Sequence, residues 1–226
     1  MQERFGRRVP EPTVVRLPVY LRVLIELARG CVTTVSSAEL AGACGVNAAK
    51  VRKDLSYFGS YGTRGTGYDV EYLLGQIQRE LGIDLDRPVV MAGMGHLGHA
   101  LARSPGFAQG GFRIVGLFDV EPETIGEVVA GTAIRHVSDL GQVCREQDVA
   151  IGVITTPAPA AQDVCDLMAG AGVSAILNFA PAVVTAPPWI QVRRVDFSAE
   201  LQVLAFYQAH PEAVTGRTGA FASNGK

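Results

Sequence analysis

Apolar residues first settle into a regular pattern at Thr13. Val15, Leu17, Tyr20, Leu21, Leu24, Ile25 and Leu27 recur at helical spacing on one broad face, Pro18 is close enough to the start to be tolerated, and Gly30 stops the run. Ser36 or Ser37 then caps a short helix, AELAGACG, ended by Gly45. Asn47 caps a second, AAKVRKDLSYFG, ended by Gly59. A glycine-rich hairpin, SYGTRGTGYD, follows, and an amphipathic helix from about Val70 to Leu81 closes the unit. Helix, two short helices, hairpin, helix is the order of a winged helix-turn-helix. IDLDRP (83–88) reads as a linker.

From Pro88 the period changes. VVMAG, FRIVGLFDV, DVAIGVITT and VSAILNFAP are short apolar runs, and IQVRRVDF is a later one. Helical stretches such as PAPAAQDVCDLMAGAG separate them. Strands of continuous apolar character alternating with helices predict a parallel sheet covered on both faces. A last helix, about Ala199 to Tyr207, precedes a polar tail read as disordered. The fold class is therefore α/β: a winged helix-turn-helix (1–82) followed by a doubly wound, Rossmann-type parallel sheet (88–195), a C-terminal helix (196–210) and a tail (211–226).

Composition changes this picture in one respect. The 226 residues are 48% hydrophobic and 19% charged with a net charge of −2, so the whole molecule is no obvious polyanion binder. The charge is uneven, however: residues 1–68 carry ten Lys/Arg against five Asp/Glu, and the remainder ten against seventeen. A basic front on an acidic back points to a front that meets a polyanion. The four cysteines form no CxxC pair and, with four scattered histidines, offer no metal-ligand spacing. With no apolar leader and no membrane-length run, they read as free thiols of a soluble cytoplasmic protein.

The glycine turn carries the clearest chemistry. Gly93, Met94, Gly95, His96, Leu97 and Gly98 follow an apolar strand and open a helix, and Asp119 ends the next strand. Gly93 permits a tight turn, Gly95 lets backbone approach a pyrophosphate at the helix N-terminus, and Gly98 allows close helix–strand packing. Asp119 would accept hydrogen bonds from an adenosine ribose and repel a 2′-phosphate, and no arginine follows it, which favours NAD(H) over NADP(H). Two other readings stay open here: coenzyme A as the ligand, and a glycine turn that holds nothing. A hydride-transfer enzyme would need a substrate domain for which no room remains after the sheet. His96, His99, His136 (read as a loop residue) and His210 form no catalytic signature. A small NAD- or CoA-dependent enzyme with a basic accessory domain is the alternative.

In the front unit, Lys50, Arg52 and Lys53 lie in the first half of residues 48–58, the end of a recognition helix that enters the major groove. Asn47 and Ser56 could reach phosphates, and Val51, Leu55 and Phe58 face inward. The hairpin 60–68, with Tyr61 and with Arg64 at its tip, would form a wing suited to a narrow minor groove. A charged helix face is by itself more often merely solvated, and the order of elements is what favours DNA.

VRKDLSYFGSYGTRGTGY, GMGHLG, FDVEPETIG and LNFAPAVV together resemble the Rex family of bacterial redox-sensing transcriptional repressors, from about Val9 to Tyr207. The resemblance implies a homodimer whose final helix swaps into the partner. Operator DNA would be bound when NAD+ is abundant and released when NADH rises. It implies that Arg22 and Asp196 link the DNA-binding and cofactor domains. It also implies that Thr155, Thr156 and Pro157 line the nicotinamide pocket, Asn178, Phe179, Ala180 and Pro181 form a neighbouring loop, and Phe197 begins the swapped segment. Family members usually carry tyrosine as the aspartate's nicotinamide-side partner where this chain has Ser104, in LARSPGF. A serine hydroxyl reaches less far and cannot stack.

Overall fold

In a computed structural model, residues 9–59, 61–63, 67–83 and 85–211 are described. The described residues form two compact units, one before Leu85 and one from Leu85 to residue 211.

The first unit runs α1 (Glu11–Arg29), β1 (Thr34–Val35), α2 (Ser37–Cys44), α3 (Ala48–Ser56), β2 (Gly62–Thr63), β3 (Gly67–Asp69) and α4 (Val70–Leu81). The cap residues explain the breaks. Ser36 and Glu39 form a reciprocal capping box at the start of α2, and Gly45 ends that helix at φ 65°. Asn47 accepts the Lys50 amide at 2.8 Å to start α3, and Asp69 accepts that of Tyr72 at 2.8 Å to start α4. The core joins Leu17, Tyr20, Leu21 and Leu24 of α1 to Leu40, Val51, Leu55, Leu73 and Ile77. Strand order β1-β3-β2, all antiparallel, builds the wing sheet.

Two expectations for α1 need correction. Val15 is 47% exposed, because it sits two residues, about 200° of helix, from Leu17. Pro18 lies two turns inside the helix, which continues through it.

Among the described residues of this unit, one polar group is buried with its charge. Asp54, 2% exposed on α3, accepts from Thr13 Oγ1 at 2.9 Å, Tyr20 Oη at 2.7 Å, and Arg16 Nε and Nη2 at 2.6 and 2.8 Å. All the donors stand on one face of α1. Burial pushes the Asp54 carboxyl up, but the hydrogen bonds from Arg16, Tyr20 and Thr13 outweigh it and hold the group below the usual carboxylate range. The same contact raises the Arg16 guanidinium, while burial and then Asp54 raise the Tyr20 phenol.

The second unit runs β4 (Arg87–Ala92), α5 (His96–Ala102), α6 (Gly106–Gln109), β5 (Phe112–Asp119), β6 (Val128–Val129), β7 (Thr132–His136), α7 (Leu140–Glu146), β8 (Ile151–Ile154), α8 (Ala158–Gly170), β9 (Ala175–Asn178), β10 (Gln191–Arg194) and α9 (Phe197–Ala209). Its sheet has the order β10-β9-β8-β4-β5-β7-β6, parallel except for β6 against β7. Counting only the parallel strands along the chain, this is the Rossmann order 3-2-1-4-5-6, which reverses between β4 and β8. Alternate residues of β4 serve the two cores: Val90 and Ala92 pack with α7 and α8, and Val89 and Met91 with Ala102 and Ile134. His136, read above as a loop residue, ends β7. That strand buries only Ile134 and its hairpin partner β6 has two residues, so neither makes an apolar run.

Helix α9 starts two residues earlier than expected because Asp196 caps it, accepting the Ser198 and Ala199 amides at 3.1 Å each. No residue of α9 is buried, although Phe197, Leu201, Val203, Leu204, Phe206 and Tyr207 cover its circumference. The expected tail from 212 lies outside the described residues, as does residue 84 of the expected linker.

Asp54→Ala removes the acceptor shared by three α1 side chains and is expected to destabilise the first unit by on the order of 3 kcal/mol, read by denaturant unfolding. Because the folded carboxyl is depressed, this stabilisation is complete above about pH 4 and is lost as pH falls through the folded value.

Candidate functional site

At the carboxyl ends of β4 and β8 the backbone comes closer than side chains allow. Gly93 has φ +99°, and a Cβ there would stand 2.6 Å from Thr155 C and Thr156 N. A Cβ on Gly98 would stand 2.1 Å from the Gly93 carbonyl oxygen. A Cβ on Gly95 would meet nothing within 4 Å, so the middle glycine opens onto space. Two glycines serve contact and one leaves space, the division that a dinucleotide turn requires. Thr155 locks the arrangement: its amide donates to Ala92 O at 2.8 Å, and its hydroxyl lies 2.6 Å from Gly93 O.

The space is a cavity of about 820 Å³. Of the expected cofactor residues, Gly93, Gly95, His96, Leu97, Asp119, Thr155, Thr156, Pro157, Phe179, Ala180, Pro181 and Phe197 line it. Three others stand behind its wall. Met94 turns its side chain into the core at 1% exposure and gives only its amide, to Asp119 Oδ2 at 2.5 Å. Gly98 packs on Gly93. Asn178, 1% exposed, spans the 179–182 loop, donating to Ala182 O and accepting the Ala180 amide, both at 2.9 Å. It shapes the loop rather than meeting a ligand.

Asp119 does more than the motif suggests. Oδ1 accepts the Val120 and Glu121 amides at 2.7 and 3.1 Å, so the carboxylate ties the turn after β5 to the glycine turn after β4. The Thr156 hydroxyl oxygen is buried with no partner, and it belongs to a cavity-lining residue. A buried unpaired hydroxyl is costly, and a ligand amide or hydroxyl there would satisfy it. Glycine cradle, ribose-side acid and orphan hydroxyl together fit a dinucleotide.

The cavity wall also contains residues that the motif reading missed. Ala160, Asp163, Val164 and Leu167 lie at i, i+3, i+4 and i+7 on α8, a helical face legible once the strand before it was known. Asp196, expected to be a coupling residue, lies in this wall too, ion-paired with Arg194 as well as capping α9. Ser104 does not line the cavity. Its hydroxyl accepts the Gly106 amide at 3.3 Å beside a separate recess of about 480 Å³.

In the first unit, Lys50, Arg52, Lys53 and Ser56 are exposed on α3, and Val51 and Leu55 are buried beneath them. Arg52 donates to Ser37 Oγ at 2.9 Å, bracing α3 on α2. Asn47 and Ser56 spend their side chains locally, the first as the cap and the second on Lys53 O at 2.7 Å. Lys50, Lys53 and Tyr57 share a recess of about 350 Å³ with Arg16 and the start of α1. Tyr61 turns back to donate to Phe58 O at 2.8 Å and meets Tyr72 edge-on. Arg22 is exposed on α1, and Arg64 lies outside the described residues.

Comparison with known proteins agrees with both units. Residues 8–56 match the family model "Putative DNA-binding protein N-terminus", and residues 84–182 match "CoA binding domain". The redox-sensing transcriptional repressor Rex of Streptomyces griseus is 57% identical over 203 residues, 90% of this chain and 80% of that protein. This chain belongs to the Rex family. The Rex repressor of Syntrophomonas wolfei is 46% identical over 89% of this chain and 96% of its own length. Among solved structures, RSP in complex with β-NAD+ and operator DNA is 32% identical, with a TM-score of 0.86 over 92% of this chain and 95% of RSP. RSP in complex with β-NADH is 31% identical, with a TM-score of 0.82 over 92% and 97%. Rex membership fixes the fold class as a DNA-binding N-terminal unit and a Rossmann-like sheet. Among the described residues, no group of His, Cys, Asp or Glu is placed to hold a metal, and no helix is long and apolar enough to cross a membrane.

Gly98→Ala drives a methyl into the Gly93 carbonyl and is expected to cost about 1–3 kcal/mol of strain at the turn, read as weakened NADH binding in a fluorescence titration. Thr156→Val is expected to leave thermal stability unchanged or raised and to weaken cofactor binding. A variant that bound NADH as well as the parent would leave the orphan hydroxyl without a ligand role.

Proposed function

We propose that this protein is a DNA-binding transcriptional repressor that reads the NADH/NAD+ ratio, with NADH causing release from operator DNA of respiratory and fermentative genes. The observation that carries it is a dinucleotide cradle and a basic recognition helix in one Rex-family chain. RSP, similar over 92% of this chain, is known with NAD+ and operator DNA and with NADH. Among the described residues no catalytic constellation accompanies the cradle, and we read the protein as a sensor, not an enzyme, acting in the cytoplasm.

Gly93, Gly95 and the first turn of α5 would hold the pyrophosphate, Asp119 the adenosine ribose, and Thr156 with the 179–181 loop the nicotinamide end. The model named for coenzyme A describes the same glycine turn; Asp119 and Glu121 on the lining disfavour a phosphorylated ribose. Lys50, Arg52 and Lys53 would enter the major groove, with Asn47 and Ser56 near phosphates and the 60–68 wing in the minor groove. The exposed apolar circumference of α9 supports a homodimer in which that helix is covered by the second copy.

NAD+ and NADH differ at one ring, cationic and planar against neutral. A ligand shifts a conformational equilibrium only by its differential affinity for the two states. A preference of about 2–3 kcal/mol for the DNA-incompetent state changes operator occupancy tens- to hundredfold. Asp196 suits the proposed coupling role with Arg22, since it lines the cavity at the head of α9, where Arg194 is its ion-pair partner.

Titrating NADH and NAD+ separately into a protein–operator complex tests the reading by electrophoretic mobility shift. Release by NADH alone is expected, and indifference to both would sink it. Asp196→Ala is expected to bind operator but to resist release by NADH.

A further inference from the structure

His99 stands one turn into α5, its side chain 19% exposed. Its Nδ1 lies 3.0 Å from the Gly95 carbonyl oxygen and its Nε2 lies 3.2 Å from Glu127 Oε2. Both partners are acceptors with no proton to give. A neutral imidazole has a single N–H, so one ring nitrogen would face an oxygen lone pair to lone pair. Only the imidazolium donates to both at once. The sequence offered no reason to pair these residues, because Glu127 precedes the β6–β7 hairpin that apolar patterning missed.

The two ends of this bridge are well placed. Gly95 is the glycine that opens onto the cavity, and its carbonyl also accepts the His99 amide at 3.0 Å. Glu127 is held by the hairpin, which exchanges Gly126 N to Ile134 O at 2.9 Å and Ile134 N to Glu127 O at 2.8 Å. The other Glu127 oxygen faces Arg103 at 3.5 Å. Among the described residues, Glu127 is the charged group recorded against the ring, alongside the Gly95 and Met94 backbone, and Arg103 reaches it only through Glu127.

We propose that His99 is a positioning residue of the dinucleotide site: its protonated ring clasps the glycine turn to Glu127, so that cofactor affinity is linked to proton binding. The proposal rests on the reading of the cavity as an NAD(H) site. The hydrogen bond to the Gly95 carbonyl, opposed by burial and reinforced by Glu127, holds the imidazole above its ordinary value. The clasp is therefore complete below about pH 6.5 and is lost as pH rises through the elevated folded value. Because the pyrophosphate held at Gly95 is common to both redox forms, NAD+ and NADH affinities fall together and their ratio is unchanged. The proton link tunes sensitivity and leaves discrimination alone.

The test measures NADH binding by its fluorescence and NAD+ by competition, from about pH 6 to about pH 8.5, for the full chain, His99→Gln and Glu127→Gln. Both affinities of the parent are expected to weaken about two- to fivefold with rising pH, the scale of a partly exposed ion pair. Both variants are expected to start at the weaker level and stay flat. An NMR titration of the ring, in protein shown folded by circular dichroism, is expected to give a raised His99 pKa that falls in Glu127→Gln. A parent without pH dependence, a His99→Gln variant with the parent's profile, or a dependence confined to NADH overturns the clasp. Failure of the parent to bind either dinucleotide at any pH overturns the site reading and the clasp with it.

Discussion

Where β4 and β8 part, the Gly93 backbone lies against Thr155 and Thr156, and Gly98 lies against Gly93, with no room for a single methyl between them. The second unit depends on this contact. It sets α5 down on the sheet, leaves Gly95 facing empty space, and places the Thr155 hydroxyl where it can hold both strand ends. The reversal of strand order at the same point keeps helices from covering the crevice. A cavity is thus produced by close packing beside it, and its chemistry is mostly backbone.

The first unit is organised around a different kind of contact. Its helix α3 is joined to α1 by a buried carboxylate that accepts four hydrogen bonds, and buried charge of this sort is weak evidence for stability as such. What it provides is orientation. Thr13, Arg16 and Tyr20 fit Asp54 in one rotation of α3, which turns Lys50, Arg52 and Lys53 outward and Val51 and Leu55 inward. An apolar pair of the same volume would leave that rotation less determined.

Much of this was legible in the chain because it rests on local rules. Asn47 before a helical run, glycine after one, and GMGHLG between a strand and a helix each reflect a backbone requirement that few residues meet. What was hidden depends on distant partners. Asp54 reads as one charge in a solvated face until α1 is folded against it. Met94 and Asn178 sit inside conspicuous motifs yet face the core and a loop, because a motif specifies backbone shape and not the direction of every side chain. The β6–β7 hairpin escaped notice since a two-residue strand and a strand with one buried residue carry no periodicity. Val15 fails for the opposite reason: an apolar residue on a helix is easily counted into a stripe from which it is turned away.

The two ends of the large sheet finish differently. At one end β6 is only two residues long, too short for another strand to use. At the other, β10 presents four residues, all exposed, as a complete ladder edge. Two of those four are Arg193 and Arg194 in succession, so one guanidinium lies on each face of the outermost strand. An incoming strand would meet an arginine side chain on either face, that of Arg194 paired with Asp196. The sheet thus ends in bulky charged side chains at one edge and in a strand too short to extend at the other, two of the ways in which sheet edges discourage further pairing.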